Sequence, residues 1–334
     1  MTGSYSRLKY ASLLRRKHYL PNFDITIAGE LNLDLILYGL PDEIPPEREL
    51  LASDMRITLG SSSAIVAHNL ASLGNKVGFI SRIGNDQFGR TALDYLQRAG
   101  VDVSRVITSA DSVKTGLTVI LQRNELRNML TYPGTIFDLS MNDINIDYLA
   151  SSRHFHLSSF YLQRNLRSDA PALLKTMKAA GLTTSLDCND DPAGTWEQDI
   201  VEALRHVDIF LPNAREAMQV TRSTDLETAV KILGEIVPLL VVKLGAKGAL
   251  ARRGSEQWFS QALEVDVADP VGAGDSFDAG FIHEFIRGAD LETCLDAGNR
   301  AGAFSATRPG GTEAFRDREY RDAFYREHSH VRNV

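Results

Sequence analysis

Cysteine is nearly missing from this chain. Cys188 and Cys294 stand alone in 334 residues, far apart and outside any metal-type spacing, which excludes a disulfide framework and a cysteine-based zinc site and suits a reducing cytoplasm. No run approaches the roughly 18–20 consecutive apolar residues of a membrane span. Basic charge is not in excess either: 36 Lys and Arg against 43 Asp and Glu give a formal net charge of -7, the wrong sign for a general nucleic-acid binder. A small polar substrate fits that balance better. Residues 1–24 carry Arg7, Lys9, Arg15, Arg16 and Lys17 but no apolar h-region or cleavage site, so they read as an N-terminal extension rather than a signal peptide.

Common devices for holding nucleotides are absent as well. There is no G-x-x-x-x-G-K-[ST], Gly29 after the first predicted strand does not open a G-x-G-x-x-G, and no protein-kinase catalytic loop occurs. A nicotinamide-dependent Rossmann enzyme is opposed on the same ground.

What is present is a rhythm. Hydrophobic content of 43% with 24% charged residues is that of a globular protein, long enough for one large α/β domain. Short apolar runs, "ITIAGE" (25–30), "KVGFISRIG" (76–84), "HFHLSSF" (154–160), "LTTSLDCN" (182–189), "DIFLPN" (208–213) and "LLVVKLG" (239–245), read as strands. Amphipathic segments at 61–74, 88–100, 170–181, 197–207 and 225–237 read as the helices between them. This alternation predicts a three-layer fold, a mostly parallel sheet with helices on both faces, over residues 25–334. Two regions, about 35–59 and 113–134, break the rhythm. They suit either a small β layer standing off the main sheet or two ordinary surface excursions.

One stretch calls for chemistry. In "DPVGAGDSFDAGF" (269–281), Gly272-Ala273-Gly274 precede Asp275 and a stripe at Phe277, Phe281, Ile282, Phe285 and Ile286 that has helical spacing. Glycines at a helix start bring unpaired N–H groups and the positive end of the dipole close to an anion. A carboxylate beside that anion makes sense if it accepts a proton from an attacking hydroxyl. The same stretch also reads as a helix cap after a flexible turn.

With that stretch and several others in order, the chain resembles the ribokinase-like, or PfkB, carbohydrate kinases over roughly residues 25 to 312. "DPVGAGDSFDAGFI" is similar throughout to the family's C-terminal signature, which implies Asp275 as general base and Gly272, Ala273 and Gly274 as an anion hole. "AGELNLDLIL" is similar to the first strand and turn, implying sugar contacts from Asn32 and Asp34. "GSSSAIVAHNLASLG" is similar to the N-terminal signature, placing Gly60 and Ser61 on the substrate side. It departs from the pattern at Ser61 and Ile65, where relatives commonly carry glycine and asparagine, and this leaves the acceptor unnamed. "RIGNDQFG" resembles the G-x-D-x-x-G turn. "LPNAREA" resembles the N-x-x-E element, implying Mg²⁺ held through water by Asn213 and Glu216. "VVKLGAKGAL" and "AGNRAGAFSATRPGG" resemble the nucleotide side, implying Lys243, Gly245, Gly248 and Asn299 around ATP; Asp269 is implied at a K⁺ site, as in some relatives.

Each residue has a plainer alternative. Asn213 and Glu216 also fit a helix cap with a first-turn acid, Asn32 and Asp34 an exposed turn, and Lys243 a strand charge reaching solvent. Gly245 and Gly248 fit a hairpin turn, Asn299 a helix contact, and Asp269 the turn before Pro270.

The resemblance further implies a small β lid over the sugar, which in some relatives clasps a second copy into a homodimer. The implied reaction is ATP-dependent phosphorylation of a hydroxymethyl group on a sugar or sugar acid, such as a ketohexose or 2-keto-3-deoxygluconate. Arg127, Arg164 and Arg167 are candidates for an acid's carboxylate. A nucleoside kinase of the same fold would need an aromatic cluster for the base, with Phe23, Tyr38 and Tyr132 as candidates. A silent sugar- or nucleotide-binding regulator would be expected to lose Asp275, which is present.

Overall fold

The computed structural model describes residues 21–110, 112–123 and 126–328. Most of the N-terminal extension read from the sequence lies outside the described residues. The strands are β1 (Ile25–Ala28), β2 (Leu33–Tyr38), β3 (Asp54–Leu59), β4 (Val77–Ile83), β5 (Asp102–Thr108), β6 (Leu117–Arg123), β7 (Leu126–Tyr132), β8 (His154–Leu157), β9 (Thr183–Leu186), β10 (Ile209–Phe210), β11 (Leu239–Lys243), β12 (Ala249–Arg253) and β13 (Glu256–Ser260). The helices that matter below are α1 (Ser62–Ser72), α2 (Gln87–Ala99), α3 (Ala170–Ala179), α4 (Asp199–Leu204), α5 (Ala214–Thr221), α6 (Leu226–Ile236), α7 (Ala273–Phe285) and α8 (Leu291–Ala306).

Nine strands form one sheet in the order β13-β12-β11-β10-β9-β8-β1-β4-β5. Pairing is parallel from β5 to β11 and antiparallel only through β12 and β13. A strand buried on both faces must be apolar on both, and alternate side chains divide accordingly. Leu240 and Val242 of β11 join the core packed by α3, α4, α5 and α6, while Leu239 and Val241 join that packed by α7 and α8. Local signals set helix ends: Asp86 accepts from Gly89 N to cap α2, and Gly100, at φ 89°, closes it.

The sequence reading ran long in places. The strand read at 154–160 stops at Leu157 because Ser159 turns left-handed at φ 55°. The helix read at 197–207 covers only Asp199–Leu204. β5 shows no continuous apolar run, because it is the half-exposed edge of the sheet. Among the described residues no helix is long and apolar enough to cross a membrane.

The two irregular regions hold β2, β3, β6 and β7, which form a separate four-stranded sheet in the order β3-β2-β6-β7. Its register sorts the side chains into two faces. On the inner face Ile36 and Ile120 are buried against Val271, just before the glycine turn. On the outer face Met55, Ile57, Leu130 and Tyr132 are exposed.

Candidate active site

The parallel strands end at the first turns of α1 and α7, the position where α/β sheets hold ligands. Gly272 is the residue before α7 and sits at φ 74°. A Cβ there would lie 2.4 Å from Gly311 Cα, so glycine is required by both conformation and space. Ala273 N donates to Pro270 O at 3.2 Å and Ser276 N to Gly272 O at 2.9 Å. The N–H groups of Gly272, Gly274 and Asp275 find no protein acceptor among the described residues. This corrects the sequence reading: the Ala273 amide is occupied, and the Asp275 amide takes its place in the open set. Gly274 is exposed and Asp275 half-buried, so the turn opens to solvent.

Neighbouring side chains fix this turn. Asn69 of α1 donates to Ser276 Oγ at 2.9 Å and to Gly311 O at 3.0 Å. Ile65, one turn earlier, lays its Cδ1 against Gly272 and Gly311, so it packs the backbone of the turn. Asp269 accepts from Val271 N at 2.9 Å, Gly310 N at 3.2 Å and Tyr38 OH at 2.9 Å. Its oxygens already meet three protein donors, so its observed task is to tie the turn to β2.

Around Asp275 the chain concentrates acids. Lys243 Nζ meets both oxygens of Asp278, at 3.1 and 3.0 Å, and Asp187 Oδ2 at 3.4 Å. Burial opposes the Lys243 charge, but Asp187 and Asp278 outweigh it and hold the ammonium protonated. Lys243 is therefore a buried, paired charge beside the turn rather than a strand charge reaching solvent. Burial would also raise Asp187, yet Lys243 and the Asn189 amide hold its carboxyl below the usual range. For Asp275 the balance goes the other way: burial, reinforced by Asp187 and opposed by Lys243, pushes it up to about 6. A carboxyl poised there remains mostly ionised at neutral pH and is a stronger base than a free one.

The N-x-x-E element forms a reciprocal cap on α5. Asn213 Oδ1 accepts from Glu216 N and Glu216 Oε2 from Asn213 N, both at 2.9 Å, while Asn213 Nδ2 donates to Glu216 Oε1 at 2.5 Å. Asn213 thus positions Glu216, and its side chain is not free to be a ligand. Burial, then Asp187, pushes Glu216 up to about 7. Asp187, Cys188 and Glu216 bring potential ligand atoms within 4.8 Å of one another. Burial pushes the free Cys188 thiol well up. The two carboxylates are hard oxygen donors in a cluster where Asp187, Glu216, Asp275 and Asp278 face, among the described residues, the cation of Lys243. That donor set and its uncompensated charge fit Mg²⁺.

On the other side of Asp275, a Cβ on Gly60 would fall 2.2 Å from Asp34 Oδ1 and 2.8 Å from Asn32 Nδ2, so these three residues share one spot. Burial, then Asp275 and Asp269, pushes Asp34 up to about 7. Ser61 caps α1 at φ 71° and donates to Glu30 O at 2.5 Å. Glu30, fully inside, accepts from Ser63 Oγ, Ser159 Oγ and Gln163 Nε2 at 2.8, 2.7 and 2.5 Å. Ser61, Ser159 and Asn189 (φ 54°) all hold left-handed backbone here, a strain that surrounding structure must impose.

The residues that the resemblance places on the nucleotide side divide. Gly245 and Gly248 shape the turn after β11, at φ 61° and 102°, and a Cβ on Gly248 would overlap Ser260 O at 2.0 Å. Asn299 Nδ2 is held by Ser260 O, Ser260 Oγ and Gln261 O at 3.1, 2.9 and 3.0 Å, so it ties α8 to the end of β13. Arg167 is paired with Asp199 and Glu197, and Arg164 lies over Phe137. Arg127 shares the inner face of the small sheet with Asp34 and is exposed. Reasoning from sequence missed Glu30, Asp187, Asn189 and Asp278. The visible signal was polar residues at strand ends, "GE" after β1 and "DCN" after β9.

Comparisons with known proteins bear on the family and the fold. The chain matches the pfkB family carbohydrate kinase model over residues 22–318. It is 31% identical over 273 residues to the 2-dehydro-3-deoxygluconokinase of Bacillus subtilis (strain 168), covering 78% of this chain and 84% of that one. To the 5-dehydro-2-deoxygluconokinase of the same organism it is 28% identical over 312 residues, covering 87% and 92%. The solved structure of Arabidopsis thaliana ribokinase complexed with ribose and ATP is alike in fold, with a TM-score of 0.76 at 22% identity over 92% of this chain and 99% of that one.

Proposed function

The chain belongs to the pfkB family of carbohydrate kinases, and on that premise we propose that it transfers the γ-phosphoryl group of ATP to a hydroxymethyl oxygen of a keto sugar acid of the 2-dehydro-3-deoxygluconate type. The observation that carries the reading is the first turn of α7. There a half-buried carboxylate, Asp275, adjoins the unpaired amides of Gly272, Gly274 and Asp275 itself.

Asp275 takes the proton of the acceptor hydroxyl as that oxygen attacks the γ-phosphorus. The bond from phosphorus to the β-γ bridging oxygen breaks, and ADP leaves with that oxygen. The open amides meet the charge on the transferring group and, being fixed by the Gly272 turn, need no reorganisation. Asn32, Asp34 and Gly60 hold the sugar hydroxyls so that the attacking oxygen lies near Asp275. Glu216, oriented by Asn213, and Asp187 would hold Mg²⁺, directly or through water; when bound, the ion neutralises phosphate charge. The small sheet acts as the lid: its inner face meets Val271 beside the turn and keeps water from the phosphoryl group.

A sugar acid is favoured over a nucleoside by the aromatic residues. Phe23 packs on Tyr148, Tyr38 bonds Asp269, and Tyr132 lies on the outer face of the small sheet, so these three form no stacking platform for a base. The exposed apolar side chains of that outer face support a homodimer through the small sheets, which light scattering reads as twice the chain mass. The deciding experiment measures ADP release with Mg²⁺ across keto sugar acids, ketohexoses and nucleosides. Turnover is expected on a keto sugar acid, and faster turnover on a nucleoside overturns the reading.

A further inference from the structure

A buried ion pair is an unusual neighbour for an anion site. Asp278 is fully buried, yet both its oxygens grip Lys243 Nζ at 3.1 and 3.0 Å, and Asp187 holds the same ammonium at 3.4 Å. Desolvating such a pair costs about as much as its attraction returns, so an apolar pair of similar volume would serve stability as well or better. The placement is what apolar residues could not reproduce. Asp278 lies four residues after Gly274, on the same face of α7. The pairing therefore draws Lys243 up that face until its Nζ is 3.7 Å from where a Gly274 Cβ would stand. The ammonium's charge therefore stands beside the open Gly274 amide, within reach of an anion seated on it.

We propose that Asp278 is a positioning residue: with Asp187 it holds Lys243 so that the ammonium contacts the terminal phosphoryl group of the nucleotide beside the Gly274 amide. The inference rests on the phosphoryl-transfer reading above and adds to it a residue for which the resemblance supplies no role. It also changes the place of Lys243, from the nucleotide loop to the transferring group. A contact to that group alone is absent once ADP is formed, so Lys243 separates the triphosphate from the diphosphate.

The test compares binding of a non-hydrolysable ATP analogue, AMP-PNP, with binding of ADP, both with Mg²⁺, by calorimetry on the full chain. Lys243→Met and Asp278→Asn should each weaken AMP-PNP by at least tenfold, the scale of one lost charge-assisted hydrogen bond, while ADP changes less than threefold. Lys243→Arg should recover part of the loss. The double variant Lys243→Met with Asp278→Leu leaves buried Asp187 without its cation, so it is expected to melt lower than wild type and, where it folds, to stay defective for AMP-PNP. Equal weakening of both nucleotides, or wild-type AMP-PNP affinity in Asp278→Asn, overturns the proposal. If the double variant fails to fold, the isosteric Asp278→Asn decides alone. The readout needs no acceptor, so an enzyme inactive on every sugar acid would refute the functional reading and still leave this one decidable.

Discussion

Nothing in the free protein requires glycine at position 274. The residue lies inside α7, its φ is not in the left-handed region, and a Cβ would meet only the flexible end of Lys243, with Nζ at 3.7 Å and Cδ at 4.0 Å. Gly274→Ala should therefore raise stability by about 0.4–1 kcal/mol through helix propensity and a less entropic unfolded chain. In a protein of this size that is a melting-temperature rise of roughly 1–3 °C. Activity should move the other way. A methyl group beside the open amides holds the phosphoryl group off them, and losing one such donor costs about 10²–10³ in turnover.

Gly272→Ala is the control with the opposite stability sign. Left-handed backbone costs roughly 1–2 kcal/mol for a non-glycine residue. The overlap with Gly311 Cα at 2.4 Å adds about 1–3 kcal/mol. Scanning fluorimetry and a coupled ADP assay read both variants. A folded Gly274→Ala enzyme with wild-type kcat/KM would refute the anion-cradle reasoning, because its only demand for glycine comes from a ligand.

Two further outcomes follow from the charge cluster. With Asp275 pushed up to about 6, kcat/KM should fall about tenfold per pH unit below that value. Asp275→Asn should abolish this limb and lower turnover by roughly two to four orders of magnitude with little change in melting temperature; a surviving limb assigns the titration elsewhere. Glu216 is raised from 4.5 to about 7, so the folded chain binds more protons than the unfolded one across that window. The resulting stability is complete below pH 4.5 and is lost as pH rises through 7. Melting temperatures between pH 5 and 8 should therefore fall less steeply in Glu216→Gln than in wild type. Added Mg²⁺ should raise the wild-type value most at the alkaline end, and a Glu216→Gln protein with unchanged Mg²⁺ dependence removes Glu216 from the metal site.

The fold was legible where one physical signal dominated. Runs such as "LLVVKLG" are apolar on both faces because β11 is covered on both sides, and helices closed by Gly74 and Gly100 announced their ends. Edge strand β5 gave no such signal, since solvent tolerates its polar residues. In the site, local motifs were readable and their partners were not. "VGAGD" marked the turn, but only the folded chain shows Pro270 O occupying the Ala273 amide. "NARE" carried two readings, and the hydrogen bonds make Asn213 the cap and leave Glu216 as the acid at the centre. Asp187 and Asp278 were unremarkable in sequence because their meaning lies in Lys243, 56 and 35 residues away.

The contacts of Asn69 also bear on the birth of the protein. Its amide joins Ser276 and Gly311, 207 and 242 residues further along, and Tyr38 reaches Asp269 across 231. A chain leaving the ribosome therefore displays its N-terminal half long before the turn that would complete the site. Loop closures of that length form late and slowly. Catalysis should switch on in a single step once α7 and the Gly310–Gly311 loop have docked, and a chain stopped short of them has no partial site with which to hydrolyse ATP.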